Sequence, residues 1–423
     1  VQPSAIETER PPARAPQRNA LLVGLSGHAV EWYEFAAYGV VAAYVAGAMF
    51  PAADPRLALV ATWTAYSVAF FVRPIGGVVL AHLGDRYGRR RALFATVLLM
   101  SVATAGMAVV PGYEAIGLAA PIAFVALRML QGFAVGGEMS SAVAYVTESA
   151  LDRRGRTRAS SVLAAGTFGA SVVGAAIPMT LANILTPEAM TEWGWRLLFA
   201  AAVPLAVLAM ILRHRAPEPE LVERTATPLL RTMRTQKRAI LRFVGIGLLF
   251  NAALSTCLGG YTNDLLLRGM PPAQTLVVTL GTYVALVLSI LGCGRLSDRL
   301  GLRATLALGG AGMAVAVGPM LLLGSTGEPG PALLGSALFA VPVGAFATPV
   351  YRCLAGMFPP AVRVTAGSIA FNTSAALASV LPAASLGLNA LGFEHGLLLL
   401  FSITLVLGAV TLLRTTREAM ADA

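Results

Sequence analysis

The chain is 423 residues long, 57% hydrophobic and only 12% charged, with a mean hydropathy of +0.72. A soluble domain carries about 25% charged residues, so the composition excludes an ordinary soluble protein and points to one that spans a membrane. The formal net charge of +10 implies no nucleic-acid partner, because the bases are confined to short turns between apolar runs, where they orient a chain in a bilayer.

Residues 1–19 are rich in Pro and Arg and too polar to span. They lack the charged start, apolar middle and small-residue cleavage site of a signal peptide, and are expected to be a disordered cytoplasmic tail. A helix needs roughly 20 apolar residues to cross a bilayer. Twelve runs meet that need, near 20–48, 57–82, 92–110, 117–147, 159–184 and 194–212, then 240–266, 273–296, 304–324, 331–355, 364–390 and 393–413. The expected fold is an all-α membrane protein of twelve transmembrane helices in two pseudo-symmetric six-helix halves, 20–212 and 240–413. A polar linker, 213–239, holding Pro217, Pro219 and Pro228, joins them, and 414–423 is a second tail.

An internal repeat supports two halves. Gly84-Asp85-Arg86-Tyr87-Gly88-Arg89-Arg90-Arg91 stands between the second and third runs, and Gly294-Arg295-Leu296-Ser297-Asp298-Arg299-Leu300-Gly301-Leu302-Arg303 between the eighth and ninth. Asp85 and Asp298 lie 213 residues apart, half the chain. With the amino terminus inside and the loops assigned alternately, 26 of the 31 basic residues fall on the cytoplasmic side. The positive-inside rule therefore places both termini in the cytoplasm. Cys257, Cys293 and Cys353 sit in or beside apolar runs without metal or redox spacing and are expected to be buried small hydrophobes.

Charged groups deep in a span are costly and mark function. The first half has five, Glu31, Glu34, Arg73, Arg128 and Glu138, and the second almost none, since Asp264 and Glu394 lie near segment ends. Glu31, Glu34 and Tyr38 share one face of the first helix by their spacing of three and four. Arg128, Gln131, Val135 and Glu138 do the same on the fourth, in a stripe about 15 Å long. An acid whose charge is not fully matched in a low-dielectric site can bind and release a proton near neutral pH, so Glu31, Glu34 and Glu138 are the expected proton-coupling residues. Arginine can hold a carboxylate through two hydrogen bonds. Arg128 and Arg73 are therefore expected substrate contacts, with Gln131 and Tyr38 beside them. Structural ion pairing is the competing reading, for Arg73 above all. His28 could join a proton relay, but a hydrogen-bonded packing role suits a lone His. The second half offers generic polar candidates, Asn251, Tyr261, Asn263, Thr348, Tyr351 and Asn372, of which Tyr351 and Asn372 are taken as substrate contacts.

The repeated turns read as a cytoplasmic gate. An Asp at a helix start meets the positive end of the helix dipole, and neighbouring arginines can bridge to other helix ends. Asp85, Arg86, Arg89 and Arg90, with Glu148 as partner, and Asp298 with Arg299 are the expected latch. Binding of lipid headgroups by the arginines is the alternative.

These turns resemble those of the major facilitator superfamily, which is built as two parallel repeats around a midplane site. A finer resemblance is to its metabolite:proton symporter family of bacterial carboxylate and osmolyte transporters. It is carried by Glu31-Trp32-Tyr33-Glu34-Phe35, Arg73-Pro74-Ile75-Gly76-Gly77 and the run Arg128-Met129-Leu130-Gln131-Gly132-Phe133-Ala134-Val135-Gly136-Gly137-Glu138. Pro217-Glu218-Pro219 and Phe358-Pro359-Pro360-Ala361-Val362-Arg363 add to it. The chain departs from the family pattern at Ala81 (usually Gly), Glu34 (Asp), His28 (Asn), Gly356 (Glu) and Met139-Ser140-Ser141 (Tyr-Gly-Gly). The changes around Glu138 face the expected cavity and bear on the substrate more than on the mechanism.

The resemblance implies a bacterial inner-membrane symporter that couples proton movement to uptake of an organic acid or zwitterion by alternating access. Its expected partners are a small solute, the proton and the lipid bilayer. No cofactor or metal is expected, and the chain is expected to act as a monomer. A proton-driven exporter is the rival, disfavoured because the fifth run offers Gly166, Gly169, Gly174 and Pro178 in place of an exporter Gly-Pro-x-x-Gly-Gly signature. A non-transporting solute sensor is a second rival, without the long soluble tail such a protein would carry. An enzyme is not expected, since His28, His82, His214 and His395 are scattered, with no metal spacing and no nucleophile–base pair.

Overall fold

The computed structural model describes residues 15–50, 55–87, 89–148, 153–214, 228–359, 362–393 and 395–414, and every regular element among them is a helix. The first half contains α1 (Ala15–Met49), α2 (Pro55–Tyr87) and α3 (Arg89–Val109). Then follow α4 (Ala119–Val135), α5 (Glu138–Glu148), α6 (Arg153–Ile184) and α7 (Arg196–His214). In the second half α8 (Lys237–Leu254) passes through a π-helical turn, Ser255–Gly260, into α9 (Tyr261–Leu267). After it come α10 (Pro272–Cys293), α11 (Leu302–Gly324), α12 (Pro329–Gly356), α13 (Arg363–Ser379), α14 (Leu381–Ala390) and α15 (Gly396–Arg414).

Among the described residues nine helical stretches are long and apolar enough to cross a bilayer, and the bent pair Pro187–Gly194 with Arg196–Leu212 makes a tenth. The other two expected spans coincide with α1, which carries His28, Glu31 and Glu34 along its length, and α3, whose apolar stretch is Phe94–Val109. Helices are the fitting solution here because each satisfies its own backbone groups where no water can. Their outer faces are apolar. Phe71, Ile75 and Val79 lie exposed on one stripe of α2, and Leu308, Val315 and Leu322, seven apart, on one stripe of α11.

The structure refines several expected boundaries. The fourth span is broken at Gly136-Gly137, the seventh widens into the π turn, and part of the linker forms a helix, Pro228–Thr235. The turn around Asp85 is helical on both sides, with α2 reaching Tyr87 and α3 starting at Arg89. Its counterpart contains a short helix, Leu296–Leu300, and ends on Gly301, whose φ of +83° favours glycine. The side chains of Asp85, Arg86, Arg89, Arg90 and Glu148 lie outside the described residues, as does the linker segment 215–227.

The contact of α2 with the broken α4–α5 span fixes the first half. A Cβ on Gly132 would stand 2.0 Å from the Ala69 carbonyl oxygen, and one on Gly136 would stand 2.0 Å from that of Arg73. The two backbones touch, as in small-residue packing between membrane helices. The glycines of two of the sequence motifs are thus the surface on which α2 and α4 meet.

The halves are tied together at both ends. At the base-rich end Arg352 of α12 donates to Thr157 of α6, which donates to Asp298 Oδ1 at 2.7 Å, and Ser161 bonds Thr348 at 3.1 Å. At the opposite end Trp63 Nε1 donates to Asn263 Oδ1 (3.2 Å) and Ser67 Oγ to the Ser379 carbonyl (2.6 Å). Between them Asn372 Nδ2 donates to the Gly136 carbonyl at 2.5 Å. Polar ties therefore join the halves both above and below the middle.

Gly136→Ala drives a methyl into the α2 backbone, where no side-chain rotation can relieve it. Overpacking costs about 1–3 kcal/mol; the expected result is a lower melting temperature in detergent and a lower yield of folded protein, whereas Gly169→Ala, where a Cβ meets nothing within 4 Å, leaves both unchanged.

Candidate functional site

Four of the five buried charges of the first half form two clusters, one behind the other, both built on α1. In the first, Glu31 Oε1 pairs with Arg73 Nη1 at 2.9 Å, and His28 Nδ1 lies 3.8 Å from the other carboxylate oxygen. His28 is fully buried, with Nε2 2.8 Å from the Met139 sulfur of α5. Pro74 follows Arg73 and cannot donate to the carbonyl one turn back, which loosens α2 at the residue carrying the charge. The Arg73 guanidinium lies over the rings of Phe35 (4.4 Å) and Phe70 (4.3 Å).

The second cluster links Glu34 to Arg128 through an amide. Thr104 Oγ1 donates to Glu34 Oε1 at 2.7 Å, Gln131 Nε2 donates to Glu34 Oε2 and to Thr104 Oγ1 (3.1 Å), and Arg128 donates to Gln131 Oε1. Arg128 is stacked on Tyr38 at 3.8 Å from the ring centroid, and the Tyr38 hydroxyl donates to the Thr62 carbonyl at 2.7 Å. Phe35 is near both cations, its ring 4.4 Å from Arg73 and 5.7 Å from Arg128. A guanidinium over a ring face is attracted by the ring quadrupole, so the Phe35 ring helps to hold both.

A cavity of about 70 Å³ lies between the halves. The first half contributes Glu31, Trp32, Phe35 and Gly39 from α1 and Trp63, Tyr66, Phe70 and Arg73 from α2. The second half contributes Asn251, Ser255, Leu258 and Gly259 around the π turn, Tyr283 of α10, and Phe371, Ala375, Ser379 and Pro382. The wall is aromatic, with one acid and one base, already paired with each other. A π turn puts an extra residue into a helix and often marks a working site; here it shapes the second-half wall.

Of the residues expected to bind solute, Arg73 is on this wall, beside the acid Glu31. Arg128, Gln131 and Tyr38 stand one layer back, behind Phe35 and Tyr66. Asn372 is engaged with Gly136, and Tyr351 is buried with its ring edge-on to Phe250 at 6.5 Å. Glu138 is buried at the head of α5, next to Met139. Asp298 takes part in the tie at the base-rich end, while Arg299 is exposed. Sequence reasoning did not single out Arg352, Trp32, Trp63, Tyr66 or Phe70. A signal was available for the last three: positions 63, 66, 70 and 73 fall on one face of α2 and end on the arginine. Tyr261 proves a packing residue, its hydroxyl donating to the carbonyls of Met320 (3.1 Å) and Ala332 (3.0 Å).

The sequence profile of the Major Facilitator Superfamily matches residues 41–383. The chain is 32% identical to the glycine betaine/proline/ectoine/pipecolic acid transporter OusA of Dickeya dadantii (strain 3937), over 86% of this chain and 76% of that protein. It is also 32% identical to the proline/betaine transporter of Escherichia coli (strain K12), over the same shares. Among solved structures, the proton:xylose symporter XylE bound to 6-bromo-6-deoxy-D-glucose aligns with a TM-score of 0.75 at 17% identity, over 94% of this chain and 95% of that one. At that identity the likeness concerns the fold.

Breaking a buried ion pair by removing one partner costs about 3–5 kcal/mol, because the other charge is left without compensation. Arg73→Gln is therefore expected to lower thermal stability in detergent sharply, and the double variant Glu31→Gln with Arg73→Gln to recover most of the loss. A double-mutant cycle of melting temperatures measures the recovery.

Proposed function

The chain belongs to the Major Facilitator Superfamily, and from that footing we propose that it is a proton-coupled symporter of small zwitterions in the bacterial inner membrane, working by alternating access of two six-helix halves. The observation that carries the reading is the central cavity, walled by both halves and containing the Glu31–Arg73 pair. The ion pair supplies coupling. A proton on Glu31 removes the charge that occupies Arg73, and the guanidinium is then free to take a solute carboxylate. Loss of that proton restores the pair and expels the carboxylate. Proton and solute thus favour each other's binding by linkage.

The wall supports a zwitterion over a di-acid. Arg73 is the one cationic side chain among the described lining residues, enough for one carboxylate. Trp63, Tyr66 and Tyr283 offer ring faces of the kind that attract an alkylated ammonium. The names of the two bacterial relatives, which include proline and betaine, point the same way. In this reading Glu34 and Glu138 are the further acids through which a proton passes, Arg128, Gln131 and Tyr38 hold the wall from behind, and Tyr351 and Asn372 act through the packing of the halves. Asp298, with Thr157 and Arg352, belongs to the latch at the base-rich end, together with Arg299 and the turn carrying Asp85, Arg86, Arg89 and Arg90 opposite Glu148. The transporting unit is a single chain.

The test is uptake into proteoliposomes under an inward proton gradient. Labelled proline and glycine betaine are expected to accumulate in wild type. Glu31→Gln, fixed in the neutral form, is expected to abolish accumulation while preserving exchange of preloaded for external solute. Faster loss of preloaded solute when protons enter, with no accumulation, would instead identify an exporter.

A further inference from the structure

Two residues of the cavity wall, Arg73 and Trp32, carry buried N–H donors that no acceptor among the described residues meets. Arg73 is 3% exposed; Nη1 engages Glu31, while Nε and Nη2 are buried with no hydrogen-bond partner among the described residues. Trp32 lines the same cavity, and its Nε1 is likewise buried without a hydrogen-bond partner. The two most buried indoles differ, because Trp63 donates to Asn263 and Trp195 to the Thr191 carbonyl at 3.1 Å. Nor is Trp32 loosely held. Its ring meets Phe168 edge-on at 5.2 Å, and its carbonyl accepts from Ser171 Oγ at 3.3 Å, so α6 fixes both ring and backbone.

A buried N–H without an acceptor is costly to keep, and such a donor on a residue that lines a cavity is explained by a ligand that accepts. We propose that Trp32 is a solute-binding residue, its indole N–H taking one carboxylate oxygen while Arg73 takes the other. The inference rests on the symport reading above and deepens it. Arg73 supplies charge and is shared with Glu31. Trp32 supplies a neutral donor that never enters that competition, and so keeps the carboxylate in register throughout the exchange. The accepted class is then narrow, comprising small zwitterions with a free, ionised carboxylate, while esters and amides of the same solutes are poor substrates.

The experiment uses labelled glycine betaine and the full chain in proteoliposomes. Gradient-driven accumulation by wild type comes first, and its absence overturns the symport reading and this proposal with it. Given accumulation, two variants follow: Trp32→Phe, and one with benzothiophene in place of the Trp32 indole, which keeps the ring shape and removes only the N–H. Losing a hydrogen bond to a charged group is expected to raise the half-saturating concentration roughly tenfold, and loss of uniform binding leaves the maximal rate unchanged. Competition by the amide analogue is the second readout. Wild type prefers the acid, and the preference shrinks by the same factor in both variants. If Trp32→Phe fails to fold, the benzothiophene variant decides. Unchanged half-saturation and unchanged preference in that variant overturn the role of Trp32 while leaving symport intact.

Discussion

The structure depends on the burial of Glu31 and Glu34 on a single membrane helix. A carboxylate in a low-dielectric core needs a counter-charge or hydrogen-bond donors close by, and α1 supplies no arginine or lysine of its own among the described residues at that depth. Arg73 must come from α2 and Arg128 from α4. Two acids three residues apart thus set the register of three helices at once. The arginines can reach one helix together only if α2 and α4 lie unusually close, and the glycines at 76, 132 and 136 allow their backbones to touch. Ion pairing and glycine packing are therefore one constraint, since neither achieves its geometry without the other.

The halves are joined differently. One apolar cluster runs through both, from Val143, Leu163 and Phe168 to Phe250, Leu286 and Phe346, and the hydrogen bonds across the middle among the described residues are mostly neutral: an indole to an amide, a hydroxyl to a carbonyl, two hydroxyls, an amide to a carbonyl. A neutral hydrogen bond is worth about 0.5–1.5 kcal/mol net, so each tie can be exchanged for another of its kind. The charged tie, Arg352–Thr157–Asp298, lies at the base-rich end. Ion pairs held within the first half, with exchangeable apolar and neutral contacts across the middle, suit two bodies that rock between discrete arrangements.

Much of the architecture was legible in the sequence because the bilayer imposes length and polarity on every span. The ends of the runs near 184, 324 and 355 were readable from apolar length alone, each within a residue of a helix end. The buried charges were readable because each costs so much to insert that its presence carries meaning. The division between cavity wall and second layer was not readable. Arg73 and Arg128 are equivalent by composition and depth, and what separates them is the rotation of α2 and α4 about their shared glycine seam. The π turn at Ser255–Gly260 left no trace in hydropathy, since inserting one residue into a helical turn changes no residue's polarity. Trp32 was quoted as part of a motif and passed over as a binding group, because an indole is apolar by composition and polar at a single atom.

The charge count of the cavity bears on direction. Empty, the wall carries Glu31 and Arg73 as a neutral pair. On the proposed reading the loaded state holds a protonated Glu31, the Arg73 cation and a zwitterion of no net charge, one unit more positive than the empty state. An inside-negative membrane potential acts on that difference, at about 2.3 kcal/mol per elementary charge per 100 mV. The loaded halves are drawn inward by the potential, and the empty halves return without opposing it. A dicarboxylate would leave the loaded site at minus one and set the potential against uptake. The same neutral pair that makes the empty protein tolerable in the membrane thus favours a zwitterion as its passenger.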